Sequence, residues 1–368
     1  MNIKNIIIFV FSLFITLPIL ADETKILPSE TGIVQSVQYV DTNDGYSVTK
    51  QNVEVKILSG EFKGETIQLD NALTGNPNYD IILKKGTKVL LHAEENNGEI
   101  TYSIEDIKRS GALIWLSLIF CALLIYVGKK KGLSSLISIV LTILLITHCL
   151  APLVTFGINP IIASLIICVI STAVTMYLVG GLNAKSTSAT AGALLSLVFA
   201  GILSVLTMLA AHLTGFSGEN MMFLYSSHPE LDFVGLTVSM MVLATLGAVM
   251  DVAMSISSTI NEIYITDNTK TIKELFISGM NVGRDIIGTM ANTLILVYLG
   301  GSLPLVLLAK NIDMIKFINL NQVVTEIASA LIGSIAIVIC VPFTALVASA
   351  LIHKCAKKAE KEIVPFEQ

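Results

Sequence analysis

The sequence predicts a membrane all-α bundle of seven transmembrane helices, preceded by a signal peptide and a small exported all-β, OB-like barrel domain. Three observations carry that class. The 368 residues are 53% hydrophobic and only 14% charged, with a mean hydropathy of +0.76, far from the composition of a soluble domain. Apolar runs close to the ~20 residues needed to cross the hydrocarbon recur through the C-terminal two thirds. Between the first apolar run and the rest lies a polar, β-branched stretch of different character.

Residues 1–21 have Lys4, an apolar run from Ile6, then Pro18 and a small Ala21 before Asp22, which is the profile of a signal peptide or of an uncleaved anchor. Residues 22–110 follow as an exported domain with fifteen acidic and nine basic side chains. Short runs at Gly32–Val40, Asn52–Ser59, Glu65–Leu69, Thr87–Ala93 and Ile100–Ile104 alternate or are rich in β-branched residues. They are separated by turn signals at Asn43–Gly45, Gly60–Gly64, Gly75–Asn78 and Asn96–Gly98. Five short strands suit a small closed barrel. This stretch has no cysteine, no clustered histidines and no Ser/His/Asp grouping, so a binding or spacer module is expected rather than an enzyme.

Residues 111–368 form the membrane domain, with spans expected near Ala112–Val127, Leu133–Pro152, Ile158–Val179, Ala189–Leu213, Val234–Ile260, Ile286–Ala309 and Ile327–Ile352. With the β-domain outside, the inner segments hold eleven Lys and Arg side chains, among them Lys129–Lys131 and Lys354. The outer loops beyond that domain hold only Lys310 and Lys316. That bias predicts an extracytoplasmic N-terminal domain and a cytoplasmic C-terminus. Spans two to four start inside and spans five to seven outside, a parity that permits an inverted repeat. No sequence similarity links the two triplets, so coincidence accounts for it equally well.

The fifth and sixth spans carry what lipid tolerates least. In the fifth, Asp251, Ser255, Ser258 and Glu262 follow at +4, +3 and +4, which places them on one helix face. The sixth opens with Arg284 and Asp285, and Asp285, Thr289, Asn292 and Leu296 share a face beside Gly288. If the fifth helix ends near Ile260 and the sixth starts near Asp285, Asp251 and Asn292 lie at depths within ~3 Å of each other. Two readings stay open. In one, Asp251 bonds Asn292, Arg284 pairs with Glu262 or Asp285, and the polar groups fasten helices together. In the other, the stripe lines a hydrophilic path for an ion, proton or small polar solute.

Other candidates are weaker. Glu326 and Ser329 open the seventh span and read as surface-anchored, and His148 and His212 read as interfacial. The segment Thr214–Asp232 has the length of a lid or of a solvated connection. The five cysteines show no metal-ligand spacing and read as apolar packing residues. Gly283-Arg284-Asp285 begins no phosphate loop, since the Lys-Ser/Thr ending is missing. The contexts of Asp251 and Asp285 also differ from the GxGD of intramembrane aspartyl proteases. No basic stripe points to nucleic acid. No catalytic residue, metal or cofactor is expected.

The stretches GAVMDVAMSISSTINEI and SGMNVGRDIIGTMANTLILVYLGGSLPL resemble the signature region of the YibE/F-like family of bacterial membrane proteins. The resemblance implies an exported N-terminal segment and a multi-span body, and it carries no catalytic set. The first functional expectation is a cytoplasmic-membrane transporter or permease for an ion or small polar solute. The second is a membrane scaffold or signalling component whose β-domain binds a partner. Expected partners are the lipid bilayer, the transported solute, and a second copy or second membrane subunit.

Overall fold

The computed structural model describes residues 29–363 except 41–48, 61, 78–79 and 97–98. The signal-peptide expectation and the Asn43–Gly45 turn lie outside the described residues. The chain divides into two compact units, one ending at Leu123 and one beginning at Leu124.

The first unit contains five antiparallel strands, β1 (Glu30–Val40), β2 (Thr49–Ile57), β3 (Thr66–Leu73), β4 (Lys88–Asn96) and β5 (Glu99–Ile107), in the order β3-β2-β1-β4-β5. All five expected runs form strands. β3 and β5 approach each other without a ladder, so the sheet is a near-closed barrel. Bulges between Val34 and Ser36 and between Leu90 and Leu91 add the local bend that closure requires. Gly32 pairs with both Ile57 and Val89, and a Cβ there would collide with Val55 and press on Leu91. A side chain at this crossing would therefore hold β1 off its neighbours. Val34, Val53, Val55, Ile57, Leu83, Val89 and Leu91 fill the interior.

Gln51 is the buried polar member of that interior. Its Nε2 donates to the Leu83 carbonyl at 3.2 Å, and its Oε1 accepts from the Leu83 N–H at 3.1 Å. Asn71 Nδ2 donates to the same Oε1 at 3.0 Å and to the Ile81 carbonyl at 2.7 Å. The two amides thus act as a short extra strand that fastens the β3–β4 connection across the barrel end.

The second unit is helical. Its elements are α1 (Ser110–Leu144, begun in the first unit), a π-turn (Leu145–Leu150), α2 (Ala151–Thr155), α3 (Pro160–Gly180), α4 (Ala184–Ala210), α5 (Glu219–Ser227), α6 (Phe233–Thr266), α7 (Ile272–Gly301), α8 (Leu303–Leu308), α9 (Met314–Ile318) and α10 (Asn321–Ile363). Among the described residues six helices are long and apolar enough to cross a membrane, α1 being counted through to Thr155. The chain is thus a multi-span membrane protein with a barrel-like domain ahead of its helices. Within α1, Lys129 leaves helical geometry (φ 49°, ψ −127°), and Gly132 lies against the Leu124 carbonyl. The break falls in the lysine run that separates the first two expected spans.

α4, α6 and α10 form the centre of the bundle, with α3 and α7 packed on it. Small residues set the spacing, as in membrane helix pairs generally. A Cβ on Gly192 would lie 2.7 Å from the Thr344 Cα, so α4 and α10 touch backbone to backbone there. Gly279 and Gly283 bring α7 close to α6 and α10, against the side chains of Ile260, Ala345 and Val341. Cys149, Cys168 and Cys340 are buried among apolar side chains, and all five cysteines are free thiols.

Two boundaries that bear on the polar faces differ from expectation. α6 continues to Thr266, and α7 begins at Ile272, fourteen residues before the expected start. The reason is a capping box: Thr271 and Glu274 bond each other's backbone N–H, and Leu275 and Gly279 then pack inward. Lys273, Glu274, Asn281 and Arg284 make this opening too polar for a hydropathy reading to include. The Thr214–Asp232 segment is a pinned connection, with α5 inside it. Phe216 stacks on Phe233 at 4.8 Å, and Asn321 Nδ2 donates to the Phe216 carbonyl at 2.6 Å.

Candidate functional site

α6 presents two faces of opposite chemistry. Val249, Val252, Ala253, Ile256 and Ile260 are buried against α4, α7 and α10, and Ser257 Oγ reaches the Lys185 carbonyl at 2.7 Å. The other face is Gly247, Asp251, Ser255, Ser258 and Glu262, all exposed except half-buried Ser258. The expected stripe is therefore one continuous row, and it points away from the bundle core. Ser255 Oγ donates to the Asp251 carbonyl at 2.8 Å, a bond within its own helix.

α7 repeats the pattern. Leu275, Gly279, Gly283 and Leu294 are its buried positions, while Asn281, Arg284, Asp285, Gly288, Thr289, Asn292 and Thr293 are exposed. Thr289 and Thr293 donate to carbonyls of α7 itself, at 3.0 and 2.8 Å. Arg284 donates to Asn281 Oδ1, one turn back, at 3.0 Å.

The mutual level of the two helices follows from two contacts. Gly279 lies against Ile260, and Leu294 and Thr245 both lie beside Gly333 of α10. Fifteen residues separate the contacts on each antiparallel helix. Asp251, nine residues from Ile260, is therefore level with Gly288, and Ser255 is level with Arg284. Asn292 falls about 6 Å from the level of Asp251, because α7 starts earlier than the sequence indicated. Arg284 lies twelve residues into α7, ~18 Å from its start, so it sits mid-helix.

Among the described residues, no hydrogen bond joins Asp251 to Asn292, and no ion pair joins Arg284 to Glu262 or Asp285. Those bonds do not hold α6 to α7; Ile260 packs on Gly279, and Thr245 and Leu294 both pack beside Gly333 of α10. What remains is a mid-helix band of two acids, one base, amides and hydroxyls facing outward from a tightly packed interior. Such a band can hold water and bind or relay a cation, a proton or a small polar solute.

Reading by residue type overlooked Gly247 and Asn281 on these faces. Their +3/+4 spacing from the named residues was the available signal. Glu326 lies half-buried in an apolar cleft of about 330 Å³ shared with Tyr298, while Ser329 is buried and bonds the Thr325 carbonyl at 2.7 Å. His148 is in the π-turn beside Thr147, and His212 closes α4 with φ 51°. Among the described residues, no group of three or more His, Cys, Asp or Glu gathers as a metal site would need.

Comparison with known proteins agrees with the two-part architecture. Residues 116–354 match the family described as YibE/F-like protein, and residues 29–107 match the YibE/F family N-terminal domain. No curated protein and no solved structure matches the chain.

Proposed function

The chain belongs to the YibE/F-like family, and from that premise we propose that it is a cytoplasmic-membrane transporter or permease for an ion or small polar solute. The polar faces of α6 and α7 line its path, with Asp251, Ser255, Ser258 and Glu262 on α6 and Arg284, Asp285, Thr289 and Asn292 on α7. The observation that carries this reading is the outward, mid-helix position of these side chains in otherwise apolar helices. Polar groups that only fasten helices would be buried and paired. Asp251 is assigned the role of cation or proton site and Arg284 that of charge balance.

In this reading the helices make seven crossings, with a break at Lys129 dividing the first two, and the barrel domain of residues 22–110 is exported behind a signal peptide or anchor. The lysine bias puts the C-terminus in the cytoplasm. Impermeant thiol labelling of intact cells tests the orientation. It is expected to modify a cysteine introduced at Asn96 and to spare Cys355, and the reverse pattern would reject it.

Function is tested by ion and metabolite profiling of cells carrying the wild type, Asp251→Asn, or neither. The wild type is expected to shift the cellular level of one ion or polar solute. Asp251→Asn is expected to abolish that shift at unchanged membrane level, since it keeps the shape and removes the charge. An Asp251→Asn protein with full effect would sink the charged path.

A polar cleft on the barrel favours a second reading, a scaffold whose β-domain binds a partner. Ser36, Glu54 and Gln68 form one cross-strand row and Gln38, Asn52 and Asp70 the next, around a depression of about 370 Å³. A scaffold would tolerate Asp251→Asn and fail on substitution of this row.

A further inference from the structure

Within the helical unit the polar faces of α6 and α7 are left uncovered by the helices packed around them, although both lie in helices of membrane-spanning length. Charges set against hydrocarbon are costly, so a path built on these faces has only one wall. We propose that the second wall is a second copy of this chain, docked face to face through α7 and held by reciprocal Arg284–Asp285 pairs. The inference rests on the path reading for what the enclosed space conducts, and on geometry alone for the pairing.

The geometry favours self-pairing over other occupants. Arg284 and Asp285 are consecutive, so they differ in depth by only ~1.5 Å. Both are exposed, and among the described residues neither has an opposite charge within ion-pair distance. A two-fold axis along the membrane normal keeps every residue at the same depth in both copies. Arg284 of one copy then meets Asp285 of the other, and the reverse pair forms by symmetry. A Cβ on Gly288, one turn further along the same helix, would meet nothing within 4 Å, which leaves room for the two α7 backbones to approach. An apolar helix offers no such complement. The chain's own first span, residues 111–127, has no charged or amide side chain and would offer neither Arg284 nor Asp285 an opposite charge. Asp251, set back on α6 at the level of Gly288, would line the space between the copies and take no part in the pairing.

The test uses full-length protein carrying two different tags, co-expressed and purified in mild detergent. Wild-type copies are expected to co-purify. Arg284→Asp with itself, and Asp285→Arg with itself, place like charges opposite one another and are expected to lower co-purification at least tenfold. Arg284→Asp with Asp285→Arg restores two opposite pairs and is expected to recover it. Benzoylphenylalanine introduced at Asn292 in the otherwise unchanged protein is expected to photo-crosslink to a dimer in native membranes. The same group at exposed Leu195 on α4 should not. The proposal is overturned if wild-type copies do not co-purify, if either variant pairs with itself as well as the wild type does, or if the mixed pair recovers nothing. A crosslink from Asn292 to the chain's own first span or to a different protein would also overturn it. These readouts are of association only. Loss of the path reading through Asp251→Asn would leave them standing, and their failure would leave that test unaffected.

Discussion

Gln51 in the barrel and Asp251 in α6 are both polar side chains on otherwise apolar elements, and the structure treats them in opposite ways. Gln51 is fully buried, with its carbonyl and amide both bonded to groups of its own domain. Asp251 is exposed mid-helix, and among the described residues its carboxylate accepts no hydrogen bond. The contrast recurs inside the bundle. Ser196, Ser204, Ser239 and Thr245 are buried between helices, and each donates to a carbonyl four residues back, at 2.8 Å. A polar group kept for structure is satisfied by the fold itself. Asp251 has no such partner among the described residues, and that contrast is what the path reading rests on.

The comparison breaks most readily at glycines, where the inward and outward surfaces of the bundle respond oppositely to the same change. Gly192→Leu drives a side chain into the backbone of α10 at Thr344. Overpacking of that kind costs about 1–3 kcal/mol where neighbours yield, and more where the neighbour is backbone. The expected result is a several-fold drop in folded protein recovered from membranes. Gly288→Leu, on the outward face of α7 with nothing within 4 Å, is expected to leave that yield unchanged. Size-exclusion profiles of the two variants in detergent check the pair. Equal losses would mean that the outward face is packed within one copy.

How far the sequence could be read depended on whether a signal was local. The five strands were legible because Gly, Asn and Asp turns punctuate them, and the lysine run Lys129–Lys131 marked the break in α1. The α6 stripe was legible as a stripe, since +3 and +4 spacings survive any packing. Which side it faces was not, because Ala and Val at the buried positions are as compatible with lipid as with a helix partner. The start of α7 is hidden from hydropathy because its first turns are polar, although Thr271-Ile272-Lys273-Glu274 has the spacing of a capping box. The Gln51–Leu83 bridge joins positions thirty-two residues apart, and nothing in the spacing announces it.

On the barrel side, Gln51→Leu keeps the volume and removes the bridge. The Leu83 N–H and C=O then lose their partner, as does one Asn71 contact, at on the order of 1–3 kcal/mol for each buried group left unsatisfied. Residues 22–109 expressed alone are expected to give a β-type circular-dichroism spectrum and a cooperative melt without disulfides. Gln51→Leu should lower that melt by ~10 °C or more. A disordered or strongly helical spectrum would remove the barrel from the comparison, and an unchanged melt would show that the bridge is dispensable.

The smallest expected effect concerns carboxylates that are satisfied but solvent-exposed, the intermediate case between Gln51 and Asp251. Asp80 accepts from the Thr74 N–H at 2.7 Å, the Thr74 hydroxyl at 2.8 Å and the Gly75 N–H at 2.7 Å, and these bonds hold its pKa below the ordinary carboxylate value. Asp106 is lowered likewise, first by the hydrogen bond from Arg109 at 2.6 Å and then by the Ile107 N–H at 2.7 Å. A folded-state value below the unfolded one means that the unfolded chain binds protons more readily. The stabilisation is therefore complete above the unfolded value of 3.8 and is lost as pH falls through the lower folded values. Both groups face solvent, where screening keeps such contributions small. The expected outcome is a modest acid-side fall in the barrel's melting temperature below about pH 4, shallower in Asp80→Asn and shallowest in the double variant with Asp106→Asn. Melts recorded from pH 6 to pH 3 check this. A wild-type profile flat across that range, or one equally steep in all three proteins, would show that hydrogen bonding at the surface, unlike the buried bonding of Gln51, adds nothing measurable to the fold.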